Sequence, residues 1–267
     1  MSLHRNSPAP HADVRPFTAR SVIASTLLGT HPPSMAVEAL VRSGALFHLA
    51  AGTVRVALSR MVAAGELTTD NGRYALAGHL LVRQTRQDES RRGLAPDSPW
   101  DGRWEVAVID TDARSAADRL ALRSAMGRLR LAELREGVWM RPSNLDADRH
   151  GDARATVLLA CRWFGAEPAT EPAELASRLW DLSGWQAGAE ALIDEIASLS
   201  PQLRRSDPDA LPSGFTLNAA VLRHLQGDPM LADALLPRRW AGDRLRARFE
   251  RFDHSFNQVW RTWIRGR

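Results

Sequence analysis

The spacing of apolar side chains predicts two short helices near the start of the chain. The first begins after Thr18, which suits an N-cap, and ends at Gly29, whose tolerance of positive φ suits a helix C-terminus. The second is predicted from about 34 to 43, and Gly44 is its expected terminator.

A third helix is predicted to begin with Thr53 as its N-cap and to end at Gly65. At about 100° per residue one face is apolar, with Val54, Ala57, Leu58, Met61 and Val62. The opposite face carries Thr53, Val56, Ser59, Arg60 and Ala63, with Arg55 on the flank. Arginine can donate two hydrogen bonds to guanine, hydroxyl groups can bond bases or phosphates, and a small apolar group can contact a thymine methyl. This helix is therefore predicted to enter the DNA major groove.

A hairpin is predicted directly after the third helix. Short apolar runs flank Asn71-Gly72, the dipeptide that supplies two positive-φ residues to a tight turn. Arg73 is expected at its tip, close to a phosphate or a minor groove. Three helices followed by this wing predict a winged helix-turn-helix domain, which with a polar helix over 78 to 92 occupies 18 to 95.

The predicted middle domain covers 100 to 168. A strand is expected over Trp104 to Asp110, a helix over 113 to 129, and a hairpin turn at Glu136-Gly137. The apolar run from Ala155 to Trp163 is interpreted as a central strand. The order βαββαβ indicates a ferredoxin-like sheet.

The remainder of the chain, 169 to 267, is predicted to be an all-α C-terminal domain. Helices are expected over about 171 to 182, 185 to 199, 213 to 226 and 242 to 264, separated by prolines that include Pro201. Residues 1 to 17, rich in Pro, Ala and charge, are expected to be a disordered leader. The fold class is α+β multidomain.

Charge is distributed unevenly along the chain. All 35 basic side chains are arginine. Residues 1 to 95 carry 11 Arg and 6 acids, 96 to 237 carry 15 and 22, and 238 to 267 carry 9 and 3. A basic N-terminal domain on an acidic body suits a polyanion bound at one end.

Several other classes of function find little support. No apolar stretch is long enough to span a bilayer and no signal peptide is apparent, so a cytoplasmic protein is expected. The single cysteine, Cys161, is expected to be buried and inert, and no metal site, cofactor site or catalytic centre is predicted. The enzymatic alternative is Mg²⁺-dependent nuclease chemistry at Asp110 and Asp112. Against it, Thr111-Asp112 fits an N-cap before the following helix.

Four motifs occur in an order that resembles the PaaX family of bacterial transcriptional regulators. They are the segment Gly52 to Leu67 with its Asn-Gly hairpin, Trp100-Asp101-Gly102, the run from Leu134 to Pro142, and the C-terminal Asp228-Pro229 with Leu235-Leu236-Pro237 and Trp240-Ala241-Gly242. The resemblance implies a dimeric repressor with a ferredoxin-like middle domain similar to small CRISPR-associated nucleases. Its best-known members release DNA on binding phenylacetyl-CoA.

These features predict a homodimer that binds an inverted-repeat DNA operator and responds to a small-molecule effector, for which an acyl-CoA is the candidate. Arginine forks bind phosphates and aromatic side chains enclose an acyl group. Trp139 with Arg141, or Trp240 with Arg238 and Arg239, are the candidate effector residues. A winged-helix scaffold that docks proteins without DNA specificity remains an alternative.

Overall fold

The computed structural model describes residues 17 to 94, 100 to 110, 115 to 146 and 150 to 266. Nearly all of the predicted leader, most of the predicted linker near residue 97 and the proposed cap at Thr111-Asp112 lie outside these ranges. The described residues fall into two units. One contains 17 to 93, 186 to 228 and 241 to 266, and the other contains 94, 100 to 185 and 229 to 240. Residues of the predicted C-terminal domain occur in both units.

Four helices and a three-stranded antiparallel sheet form the N-terminal part. The elements are α1 (Ala19–Leu28), β1 (Ser34–Ala36), α2 (Val37–Ala45), α3 (Ala51–Ala63), β2 (Leu67–Asp70), β3 (Arg73–Leu76) and α4 (Gly78–Arg92). The strand order is β1-β3-β2, so β3 lies at the centre. Leu27, Leu40, Val54, Leu58 and Leu76 belong to the core that joins these elements.

The Thr18 cap of α1 is confirmed, because its side chain accepts a hydrogen bond from the Ser21 backbone and the pair forms a capping box. The predicted helix end at Gly29 is confirmed, because Gly29 is the C-cap, although its φ of −86° does not use the conformational freedom of glycine. There the backbone N–H bonds back to carbonyls of the last turn without a left-handed residue.

Two predicted helix starts in this region are wrong. Ser34 to Ala36 is a strand, because its backbone pairs with Ala75, Tyr74 and Arg73 of β3. The α3 helix begins at Ala51, so Thr53 lies inside its first turn and is not the N-cap.

Gly44 does not terminate α2 as predicted, because the helix continues to Ala45. This glycine is buried where α2 and α3 approach closely, and a Cβ atom there would lie 2.5 Å from Val54 Cγ2. Helix-helix contact, and not a turn, accounts for the glycine.

The middle of the chain has the predicted βαββαβ order. Its elements are β4 (Trp104–Ile109), α5 (Ala116–Arg128), β5 (Ala132–Arg135), β6 (Val138–Pro142), α6 (Gly151–Leu158) and β7 (Cys161–Ala166). All three strand pairs are antiparallel, and the order β5-β6-β4-β7 places β4 inside and β7 at an edge. Gly137 has a φ of +76°, as a tight turn between β5 and β6 requires. Cys161 is buried, as expected.

The central strand predicted for Ala155 to Trp163 is wrong. Its first part is the C-terminal half of α6, where Ala153 and Val157, four positions apart, are buried together. Only Cys161 onward is a strand, and that strand lies at the sheet edge. A continuous apolar run does not distinguish a helix from a strand, because it shows neither the 3.6-residue spacing of a helix nor the alternation of a strand.

The C-terminal third is helical, as predicted. It contains α7 (Pro172–Leu179), α8 (Leu182–Arg204), α9 (Leu211–Gln226) and α10 (Gly242–Ile264). Pro201 does not end a helix, because α8 continues through it for three more residues. Among the described residues, no helix is both long and apolar enough to cross a bilayer.

An ion pair and a side-chain hydrogen bond connect α10 to the end of α4. Arg91 Nη2 lies 2.6 Å from Asp253 Oδ2, and the Arg91 guanidinium lies 5.0 Å from the centre of the Phe249 ring. Arg246 donates to the Ser90 carbonyl at 3.0 Å and to Asp228 at 2.7 Å, with both side chains mostly buried. The C-terminal helix is thereby tied to the last turn of α4.

Replacing Gly44 by alanine is expected to lower the free energy of unfolding by about 1–3 kcal/mol, because the added methyl group overpacks against the buried Val54 side chain. Gly52→Ala is the matched control, since no atom lies within 4 Å of its Cβ position. It should be neutral or slightly stabilising. Urea denaturation of both variants measures the difference, and equal stabilities would contradict the close approach.

Candidate nucleic-acid interface

The two faces of α3 are separated as the sequence predicts. Val54 and Leu58 have no exposed surface and Met61 is 2% exposed, so these side chains fix the helix in the core. Thr53, Arg55, Val56, Ser59 and Arg60 are all exposed. Val56 is 51% exposed. The outward face is thus hydroxyl-bearing, cationic and partly apolar.

The two arginines of this face are available to a ligand. Within the described ranges, neither Arg55 nor Arg60 forms an ion pair, whereas many other arginines in the protein do. The Ser59 hydroxyl donates to the Arg55 carbonyl at 3.2 Å, an internal helix contact. Guanidinium groups without an acidic partner keep all their donors for phosphate or base acceptors.

The hairpin beside α3 has the predicted turn. Asn71 and Gly72 have φ values of +46° and +74°, the two positive-φ positions of a two-residue turn. The Val37 N–H donates to the Gly72 carbonyl at 3.0 Å, so the turn is attached to the start of α2. Arg73 is exposed, but it begins β3 and donates to the Ser34 carbonyl at 3.1 Å.

A buried carboxylate fixes the junction between α3 and β2. Glu66 is 7% exposed and accepts two hydrogen bonds from Arg20 of α1, one from Nε at 2.9 Å and one from Nη2. His79 Nε2 lies 3.6 Å from the same carboxylate. The Arg20 guanidinium holds the pKa of Glu66 below its usual range, against the opposing effect of burial. This pair joins the start of α1 to the end of the candidate recognition helix.

The Arg20–Glu66 pair was not predicted from the sequence. The two residues are 46 positions apart, and Glu66 could equally have been a solvated turn residue. The sequence signal for a defined turn at Glu66 was the preceding glycine, Gly65, whose φ in the structure is +69°.

The candidate effector residues occupy different environments. Arg141 is 1% exposed and donates to carbonyls of Pro142, Leu129 and Met230 and to the Asn144 side chain. Its guanidinium therefore serves the interior of the sheet unit and has no solvent-facing surface. These contacts indicate that Arg141 stabilises the fold and does not bind a ligand.

The tryptophans of the two candidate effector sets are not brought together. Trp139 packs against the cluster that contains Leu122 and Met126, whereas Trp240 packs against the cluster around Trp104. Trp240 stacks on Trp185 with ring centres 4.4 Å apart. Arg238 and Arg239 precede it and are exposed.

The candidate nuclease residue Asp110 is engaged by a cation. Arg162 Nε donates to Asp110 Oδ2 at 2.8 Å, and both side chains are largely exposed. Asp112 lies outside the described residues. In the part of the chain that the structure describes, no three His, Cys, Asp or Glu side chains are arranged to hold a metal ion.

Comparison with known proteins agrees with this arrangement. Residues 18 to 80 match the family model for PaaX-like proteins, and 97 to 161 match the model for the central Cas2-like domain of PaaX proteins. A solved structure, that of the uncharacterized protein Rv0674 from Mycobacterium tuberculosis, is 40% identical, with a TM-score of 0.68. The alignment covers 92% of this chain and 98% of that one. No curated protein matches the chain.

The chain belongs to the PaaX family. This membership confirms the resemblance seen in the sequence and indicates a transcriptional regulator.

Substituting Glu66 by glutamine is expected to cost about 1–3 kcal/mol of unfolding free energy at neutral pH, because a charge-assisted pair is lost. The folded-state pKa of Glu66 is lowered, so its stabilisation is present above the unfolded-state pKa, about 4.3, and is lost as the pH falls through the lower folded value. The difference between wild type and variant should therefore shrink in acid.

The measurement is urea denaturation at several pH values. Glu133→Gln is the control, because Glu133 is exposed on β5. A wild-type advantage over Glu66→Gln that stays constant down to strongly acidic pH would contradict the assigned pair.

Proposed function

We propose that this protein is a sequence-specific DNA-binding transcriptional repressor that acts as a homodimer. In this proposal residues 18 to 95 form a winged helix-turn-helix domain with its linker helix. The α3 helix enters the major groove, and the β2–β3 hairpin is the wing. Arg55, Ser59 and Arg60 contact bases, and Thr53 and Val56 on the same face of α3 assist them. Arg73 contacts the DNA phosphate backbone beside the wing.

The observation that carries this proposal is the exposed face of α3 with its two arginines. Their guanidinium groups lie on a helix whose other side is held in the core by Val54, Leu58 and Met61, so the core sets the orientation of the helix. Such a helix presents hydrogen-bond donors to base edges at a defined angle. Arginines on a flexible loop would supply positive charge but would not be aligned with particular bases.

Dimerisation would give the operator its symmetry. Two recognition helices related by a two-fold axis read half-sites about 34 Å apart, one helical turn of B-DNA, or a multiple of that spacing. The operator is therefore expected to be an inverted repeat.

The repressor is proposed to be released by an acyl-CoA effector, as the family resemblance implies. A phenylacetyl or related thioester combines several phosphate charges with an apolar group. The exposed Arg238 and Arg239 beside the partly buried Trp240 remain the better placed of the two candidate sets, because Arg141 is committed to internal acceptors.

Two other functions predict different results. A protein-docking scaffold would bind DNA weakly and without sequence preference. A ferredoxin-like nuclease would cleave nucleic acid with Mg²⁺ and lose that activity in Asp110→Ala. The Arg162 contact at Asp110 and the solvent-facing arginines of α3 favour the regulator over both. No catalytic role is included in the proposal.

Binding to the protein's own promoter region should exceed binding to a scrambled duplex of equal length by a factor of about a thousand at physiological salt. Arg60→Ala should weaken promoter binding by about 1–3 kcal/mol and relax base preference at one position, because a bidentate base contact is lost. Fluorescence anisotropy with single-base operator variants measures both effects.

Arg123→Ala is the control for the loss of one positive charge, because Arg123 is exposed on α5. It should leave the operator affinity nearly unchanged. Equal affinity for promoter and scrambled DNA would contradict sequence-specific binding. A uniform loss on every sequence in Arg60→Ala would instead make Arg60 a phosphate contact.

An acyl-CoA effector should raise the melting temperature, since a ligand that binds only the folded state stabilises it. At a concentration of about 100 times Kd the gain is about 2.7 kcal/mol. Differential scanning fluorimetry with phenylacetyl-CoA, other acyl-CoAs and free CoA tests this, and the absence of any shift with all thioesters would count against the effector class.

A further inference from the structure

The C-terminal end of α10 lies beside the turn between α2 and α3. Trp260 of α10 has its ring centre 6.0 Å from that of Phe215 in α9, and Phe215 in turn lies 5.0 Å from Phe47, which follows α2. Arg42, in the last turn of α2, donates a hydrogen bond to the Ile264 carbonyl at the end of α10. All of these residues belong to one unit. The end of α10 is thus attached to the segment that leads into α3.

The two segments that meet here contain arginine but no acidic residue. Neither 39 to 65 nor 254 to 266 contains aspartate or glutamate. Arg261 and Arg265 are four positions apart, so they share a face of α10, and both are exposed. Among the described residues neither of them has an ion pair. Their guanidinium groups therefore keep their donors for an anionic partner.

The length of α3 indicates which anion lies within reach. At about 1.5 Å per residue its 13 residues extend about 20 Å, whereas the major groove of B-DNA is about 12 Å wide. Elements at the two ends of a helix in the groove therefore approach the sugar-phosphate strands that border it. The β2–β3 hairpin follows the C-terminal end of α3, and the α2–α3 turn with the end of α10 adjoins the N-terminal end.

We propose that Arg261 and Arg265 bind DNA phosphates on the side of α3 away from the hairpin, so that the DNA interface extends onto the C-terminal helix. This inference rests on the proposed DNA-binding function and adds a second contact surface to it. The guanidinium fork matches phosphate oxygens, and contacts to phosphates position a protein on the duplex without reading its sequence. The two arginines therefore contribute equally to binding of operator and of other DNA.

The salt dependence of DNA affinity counts such contacts. The logarithm of the binding constant falls with the logarithm of the salt concentration, with a slope of about −0.9 for each phosphate neutralised. Arg261→Gln with Arg265→Gln should make this slope shallower by about 1 to 2. It should also weaken binding to the promoter and to a scrambled duplex alike, by about tenfold or more. Fluorescence anisotropy from about 50 to 200 mM salt measures both effects.

Two control variants separate charge at this site from charge elsewhere. Arg261→Lys with Arg265→Lys keeps both positive charges and should keep the salt slope. Arg123→Gln with Arg178→Gln removes two exposed arginines of the other unit, and it should leave the slope and the affinity unchanged.

Neutral methylphosphonate linkages in the promoter duplex locate the contact with the wild-type protein. When one phosphate is replaced at a time, the wild type should lose affinity at one or two positions where the glutamine variant loses none. At those positions the contact is already absent from the variant, so the two changes are not additive.

An unchanged salt slope in the glutamine variant would overturn the phosphate contact, as would an equal change in the Arg123 and Arg178 pair. A loss of affinity confined to the promoter, or a shallower slope in the lysine variant, would overturn it as well. Wild-type binding without preference for the promoter would reject the sequence-specific function, while the slope on either duplex still tests the contact. No wild-type binding to either duplex at low salt would reject both.

Discussion

The burial of one face of α3 is the constraint on which the candidate interface depends. Val54, Leu58 and Met61 are removed from water almost completely, at a gain of about 1.5–3 kcal/mol for each side chain. This burial fixes the rotation of the helix about its axis. The close approach of Gly44 to Val54 then fixes its distance from α2. The exposed arginines owe their direction to these apolar contacts.

The protein uses arginine for two different physical tasks. Arg141 is buried and Arg246 is mostly buried, and each donates to a backbone carbonyl and to a side-chain oxygen, so each joins segments that are distant in sequence. Arg55 and Arg60 are exposed, and among the described residues neither has an acidic partner. A rigid planar fork suits both tasks, because it satisfies several acceptors at once in the interior and matches phosphate oxygens at the surface.

The helices of the C-terminal third are divided between the two units. The sequence suggested a separate helical domain, but α9 and α10 belong to the same unit as the N-terminal helices, while α7 belongs to the unit of the four-stranded sheet. The Arg91–Asp253 ion pair and the Arg246 hydrogen bond to the Ser90 carbonyl join α10 to α4. The C-terminal helix α10 therefore helps to hold α2 and α4 in place.

The sequence by itself determined the features that depend on local chemistry. Helical periodicity assigned the two faces of α3, Asn71-Gly72 placed the hairpin, and Thr18 placed a helix start. The four sequence motifs indicated the PaaX family, which the family models confirm. Tertiary structure decided the rest. The strand at Ser34 to Ala36 exists because β3 pairs with it, and Ala155 to Leu158 is helical because Val157 fits beneath the sheet. The burial of Arg141 and the pairing of Glu66 with Arg20 depend on partners many residues away, and no local pattern encodes contacts that form only when distant segments meet.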